Sequence, residues 1–94
     1  MDGRAHERLQ AFAQTTPDKC YVSADDVERF CALCIEFHRA RLAVTGLEIR
    51  EELQWYGFDS YTALKLGLQF ERYRQLLDNL ALSGHKGPNS YDFG

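Results

Sequence analysis

The sequence predicts an all-α protein, a small helical bundle of three to four helices with two long antiparallel helices. Three observations carry this. Apolar residues recur at three- and four-residue spacing through most of the chain. Capping signals with flanking apolar staples occur before two of the periodic stretches. Gly and Pro fall between those stretches rather than within the central one. The 94 residues suffice for one domain, expected over 1–82, with 83–94 as a flexible tail rich in Gly, Pro, Ser and Asn. A domain this small buries roughly 60–65% of its unfolded surface, so its core is thin.

The first helix is expected over residues 4–14, where Ala5, Leu9 and Phe12 form a narrow apolar stripe. Pro17 disfavours helix at Thr16 and ends it. Ser23 and Asp26 then make a capping box, with Val22 and Val27 as its staple. This predicts a central helix from about Ala24 to Ala43. Its wide apolar arc, from Val27 through Phe30, Leu33, Cys34 and Phe37 to Leu42, implies more than one packing neighbour.

Gly46 is expected to end that helix in a left-handed conformation. Thr45 and Glu48 box the next helix, from about Leu47 to Tyr56, with Val44 and Ile49 as its staple. Gly57 can end it, and Asp59 or Ser60 can cap the last helix, expected over Ser60 to Leu82. There Ala63, Leu66, Phe70, Tyr73, Leu77 and Leu80 form a heptad seam, and Leu64, Leu68 and Leu76 widen it. Val27, Phe30, Cys34, Phe37, Arg41 and Val44 repeat the spacing on the central helix. The two seams suit each other or copies of themselves.

Composition narrows the function. Hydrophobic residues at 45% and aromatics at 13% supply real burial and exclude the disordered class for most of the chain. The net charge of −3 weakens a nucleic-acid reading, since Arg39/Arg41 and Arg72/Arg74 are the nearest approach to basic clusters. No stretch approaches the ~20 apolar residues of a membrane span. The polar N-terminus lacks a signal-peptide core, and three cysteines do not complete a disulfide framework. A cytoplasmic location is expected.

Little here suggests catalysis. Cys31, Cys34 and His38 share a helix face, with Cys20 upstream, and thiolates with imidazole suit zinc. Yet Cys31 and His38 lie ~10 Å apart along a helix axis, a strained reach for one ion. Small buried core residues is the preferred reading, with no metal and no cofactor. The CxxC also lies well inside a helix, away from the N-terminal position that stabilises a thiolate. The carboxylates of Asp25/Asp26 and Glu51/Glu52 diverge on a helix, and the glycines make no phosphate loop. No catalytic residue is expected.

Two binding readings remain. Residues 45–70 are punctuated like a helix-turn-helix, but Gln54-Trp55-Tyr56 lengthens the first helix, and Tyr61-Thr62-Ala63-Leu64-Lys65 offers one early cation. DNA binding is therefore the alternative. The main reading is protein binding. Trp55, Tyr56 and Phe58 form a dense aromatic patch, and such residues anchor interfaces as well as cores. Apolar helix surface exceeds what so short a chain can cover, which predicts a homodimer or a hold on another protein. The expected anchors are Trp55, Tyr56, Phe58, Leu66, Phe70, Tyr73 and Leu77, filling a partner's groove.

In size, acidity and helical character the chain resembles the bacterial quorum-sensing anti-activators. That resemblance implies a stoichiometric inhibitor whose helix occupies the surface by which a transcription factor dimerises. It assigns no residue a role. An inhibitor of another host protein, such as a phage would encode, fits the same features.

Overall fold

A computed structural model describes residues 2–86. Among these residues there are four helices and no strand: α1 (Gly3–Gln14), α2 (Ala24–Arg39), α3 (Gly46–Trp55) and α4 (Ser60–Lys86).

The helix starts follow the capping chemistry. The Asp2 carboxylate accepts from the Arg4 N–H at 2.8 Å, opening α1. Ser23 and Asp26 satisfy each other's backbone N–H groups at 3.2 and 3.1 Å, and Thr45 and Glu48 do the same for α3. Asp59 opens α4: its carboxylate accepts from the Tyr61 N–H and its carbonyl from the Ala63 N–H.

The helix ends differ from expectation in two places, after α2 and after α4. α2 stops at Arg39, four residues before Ala43. Arg41 adopts φ +56°, and the N–H groups of Arg41 and Leu42 donate back to the carbonyls of His38 and Phe37. This is a Schellman closure, with arginine where glycine is usual. Arg41 and Val44 therefore leave the expected seam, and Val44 folds back into the core at 1% exposure. The end of α3 repeats the motif with Gly57 at φ +101°, Gly57 donating to Gln54 and Phe58 to Leu53. α4 runs four residues past Leu82 to Lys86, a stretch without proline. The rest of the expected tail lies outside the described residues.

The long helices are not antiparallel. Val27 at the start of α2 lies beside Thr62 and Leu66 at the start of α4, and His38 near the end of α2 meets Asp78 far along α4. The physical reason is parity. Each short connection reverses the chain, α3 lies between the two, and two reversals restore the direction. The order is up-down-up-down.

One core joins all four helices. Phe12 of α1 meets Phe30 of α2 at 5.5 Å and stacks on Phe58 at 6.1 Å, while Phe37 of α2 meets Phe70 of α4 edge-on. Leu9, Phe30, Phe37, Ile49, Leu53 and Leu66 are fully buried. Each such side chain contributes about 1.5–3 kcal/mol of transfer free energy.

Gly46 is not the end of α2 but the first residue of α3, and it touches Gly67 of α4. A β-carbon on Gly67 would sit 2.6 Å from the Gly46 carbonyl oxygen, and one on Gly46 2.5 Å from that of Gly67. The two backbones meet with no side chain between them. Glu71 accepts from the Gly46 N–H, while Arg74 pairs with Glu71 and donates to the Val44 carbonyl. At the other end Arg29 binds Thr15, Thr16 and Asp26 and lies 5.0 Å over Phe12, fixing the α1–α2 connection.

Candidate functional site

The seven expected anchors divide. Phe58, Leu66 and Phe70 are buried in this chain's own core, at 4%, 2% and 3% exposure, and cannot fill a partner's groove. The heptad seam that marked Leu66 and Phe70 is spent on α2, and the second Schellman turn tucks Phe58 inward. Tyr73 and Leu77 are half-buried, Tyr73 against the same core.

Tyr56 is also half-buried and is held by polar contacts. Its hydroxyl donates to Glu52 at 2.7 Å, and His6 of α1 pairs with the same carboxylate. Burial, then the hydrogen bond to Glu52 and its charge, push the Tyr56 phenol up to about 12. The cluster joins α1 to α3. Trp55 alone is fully presented, at 82% exposure, among Glu48, Glu51 and Glu52.

The surface that gathers apolar groups lies elsewhere. Leu47 on α3 and Leu64 and Leu68 on α4 are exposed around the Gly46–Gly67 contact. They line a shallow groove of about 190 Å³ with Arg50 and Glu71 at its sides. Tyr61, Leu76 and Leu80 extend the apolar exposure along α4. Glycines make this groove: with no side chain at the crossing, the leucines stand above a floor of bare backbone. Sequence reasoning placed Leu64, Leu68 and Leu76 merely as wideners of the seam and missed Leu47. The usable signal was angular, since Leu64 and Leu68 fall roughly 130–170° around the helix from the Ala63–Leu66–Phe70 seam.

Besides the Tyr56–Glu52–His6 cluster, a second pair of groups with chemical potential meets beside α2. His38 Nε2 lies 3.0 Å from Asp78 Oδ1, beside a groove that Cys34 also lines. Cys34 is 3% exposed, and burial foremost, then the charge of Cys31, pushes its thiol up to about 12. A thiol so protonated is a poor nucleophile at neutral pH. Cys20 is exposed and Cys31 half-buried, and all three cysteines are free. Among the described residues no three His, Cys, Asp or Glu side chains converge as metal ligands.

The helix-turn-helix punctuation gives a hairpin. Gln54 bonds to Ser60 and Gly46 touches Gly67, so α3 lies back along α4. The outward face of the first turns of α4 carries Tyr61, Leu64, Lys65 and Leu68, an apolar face with one cation. Among the described residues no helix is long and apolar enough to cross a membrane. Set against protein-family models, curated proteins and solved structures, the chain matches none.

Proposed function

We propose that this protein is a non-catalytic, protein-binding regulator that docks one amphipathic helix of its partner on the Leu47–Leu64–Leu68 face. The observation that carries this is the exposure of Leu47, Leu68 and Leu64, at 59%, 62% and 39%, around a groove floored by touching backbones. Large apolar side chains gathered on one face, rather than scattered singly, mark interaction surfaces. A groove between two antiparallel helices accepts a third helix by its apolar face. Arg50 and Glu71 at its sides would set the register. This role as a stoichiometric inhibitor, an anti-activator holding a transcription factor from its own dimer, needs no catalytic group. Trp55, remote from the groove lining, would be a peripheral contact at most.

The test compares the full chain with its Leu64→Glu and Leu68→Glu variants. Both positions are exposed, so the variants should fold with unchanged melting temperature. Each is used to capture proteins from nuclease-treated lysate of the source cells at high salt. One protein retained near equal stoichiometry by the parent and lost by both variants is the expected result. Retention of the same proteins by all three, or of nucleic acid alone at low salt, overturns the proposal. Sedimentation of the purified chain is run alongside; a dimer broken by Leu68→Glu would assign the face to a second copy instead.

A further inference from the structure

A second concave surface lies between the end of α2 and the middle of α4. It is an open groove of about 590 Å³, within the ~300–1,000 Å³ range of small-molecule sites. Phe37 and Phe70 close its floor and Leu42 forms one wall. Arg39 and Arg41 stand on its rim, and both are exposed. Among the described residues neither makes an ion pair, a state they share with Arg4, Arg50 and Arg72, while Arg8, Arg29 and Arg74 are paired. Of the other charged groups facing the groove, Arg74 pairs with Glu71, and the Asp78 carboxylate lies within hydrogen-bond distance of His38.

Arg41 is the informative residue. It occupies the left-handed position of the Schellman closure at φ +56°. A β-carbon there costs roughly 1 kcal/mol or more, which is why glycine or asparagine is usual. The same chain uses Gly57 at the equivalent point after α3. Arg39 is accounted for by its place in the last turn of α2, where a cation complements the helix dipole. Arg41 lies beyond the helix, and glycine would close the motif with less strain. A strained residue at the edge of a groove points to a role for its side chain.

We propose that this groove binds a small anionic amphiphile, an aliphatic chain bearing a carboxylate. The chain would lie over Phe37, Phe70 and Leu42, and the carboxylate would take charge-assisted hydrogen bonds from Arg41 and Arg39. An apolar floor with a few convergent polar groups at one end is the general form of such sites. The site is separate from the leucine face, and neither assignment depends on the other.

Sodium dodecanoate below its micellar range is the probe, titrated into the full chain by calorimetry, with amide chemical shifts mapped by NMR. Saturable one-site binding is expected, with shifts at Phe37, Leu42, Phe70 and Ala81, and weaker binding of dodecanol. Arg41→Gly should weaken dodecanoate roughly fivefold, the scale of one solvent-touched charge-assisted bond. Because glycine suits the backbone, the melting temperature should hold or rise, so lost binding cannot be lost folding. Lys65→Gln, away from the groove, should bind as the parent does. No saturable binding, equal affinity for dodecanol, or an unaffected Arg41→Gly variant overturns the proposal. So does binding that emerges only when Tyr91→Ser and Phe93→Ser are combined, which would give the groove to the chain's own C-terminal residues.

Discussion

The two halves of α4 carry the same heptad spacing and meet different fates. From Ser60 to Glu71 the helix is held on two sides: Ala63, Leu66 and Phe70 enter the core, and Gly67 lets α3 approach to backbone contact. Beyond that point Tyr73 and Leu77 are only half-buried, and Leu80, next on the seam, is 66% exposed. The difference is one of partners. A helix of 27 residues extends about 40 Å, while α2 with 16 and α3 with 10 extend about 24 and 15 Å. Identical periodicity therefore stabilises only where a neighbour is long enough to meet it.

Removing side chains along the seam should reproduce that gradient in denaturant unfolding. Phe70→Ala, which empties the junction with Phe37, should destabilise most, by about 3–5 kcal/mol. Gly67→Ala comes next. The added methyl gains helix propensity of about 1 kcal/mol but collides with the Gly46 carbonyl, for a net loss of about 2 kcal/mol. A neutral or stabilised Gly67→Ala variant would show that the glycine contact is slack. Leu77→Ala, in the half-covered region, should cost about 1 kcal/mol. Asp78→Asn should shift stability by no more than about 0.5 kcal/mol, since both partners of the His38 pair touch solvent. Native-state hydrogen exchange sharpens the contrast without mutation: amides of residues 60–71 should approach global protection, and those of 72–81 should open well below it. Uniform protection along α4 would mean that the later half is covered in solution.

Much of the fold was legible in the residues. Both capping boxes, the cap at Asp59 and the turn at Gly57 operate through groups no more than a few residues apart, so local sequence specifies them. The end of α2 was not legible. Leu42 continues the apolar period, and nothing local announces that an arginine will take the left-handed position. The candidate site was legible in kind and misplaced in detail. The sequence revealed surplus apolar helix surface, but Phe58, Leu66 and Phe70 were consumed internally, leaving Leu47, Leu64 and Leu68 outside.

The sequence by itself determined the all-α class, the helix starts and the supply of apolar surface, because capping and periodicity are short-range. Tertiary structure decided which stripe became core, that α2 and α4 run in the same direction, and that Gly46 and Gly67 meet. Those outcomes depend on how many reversals separate two helices and how far each neighbour reaches. They are properties of the assembled chain, which no single stretch of residues carries.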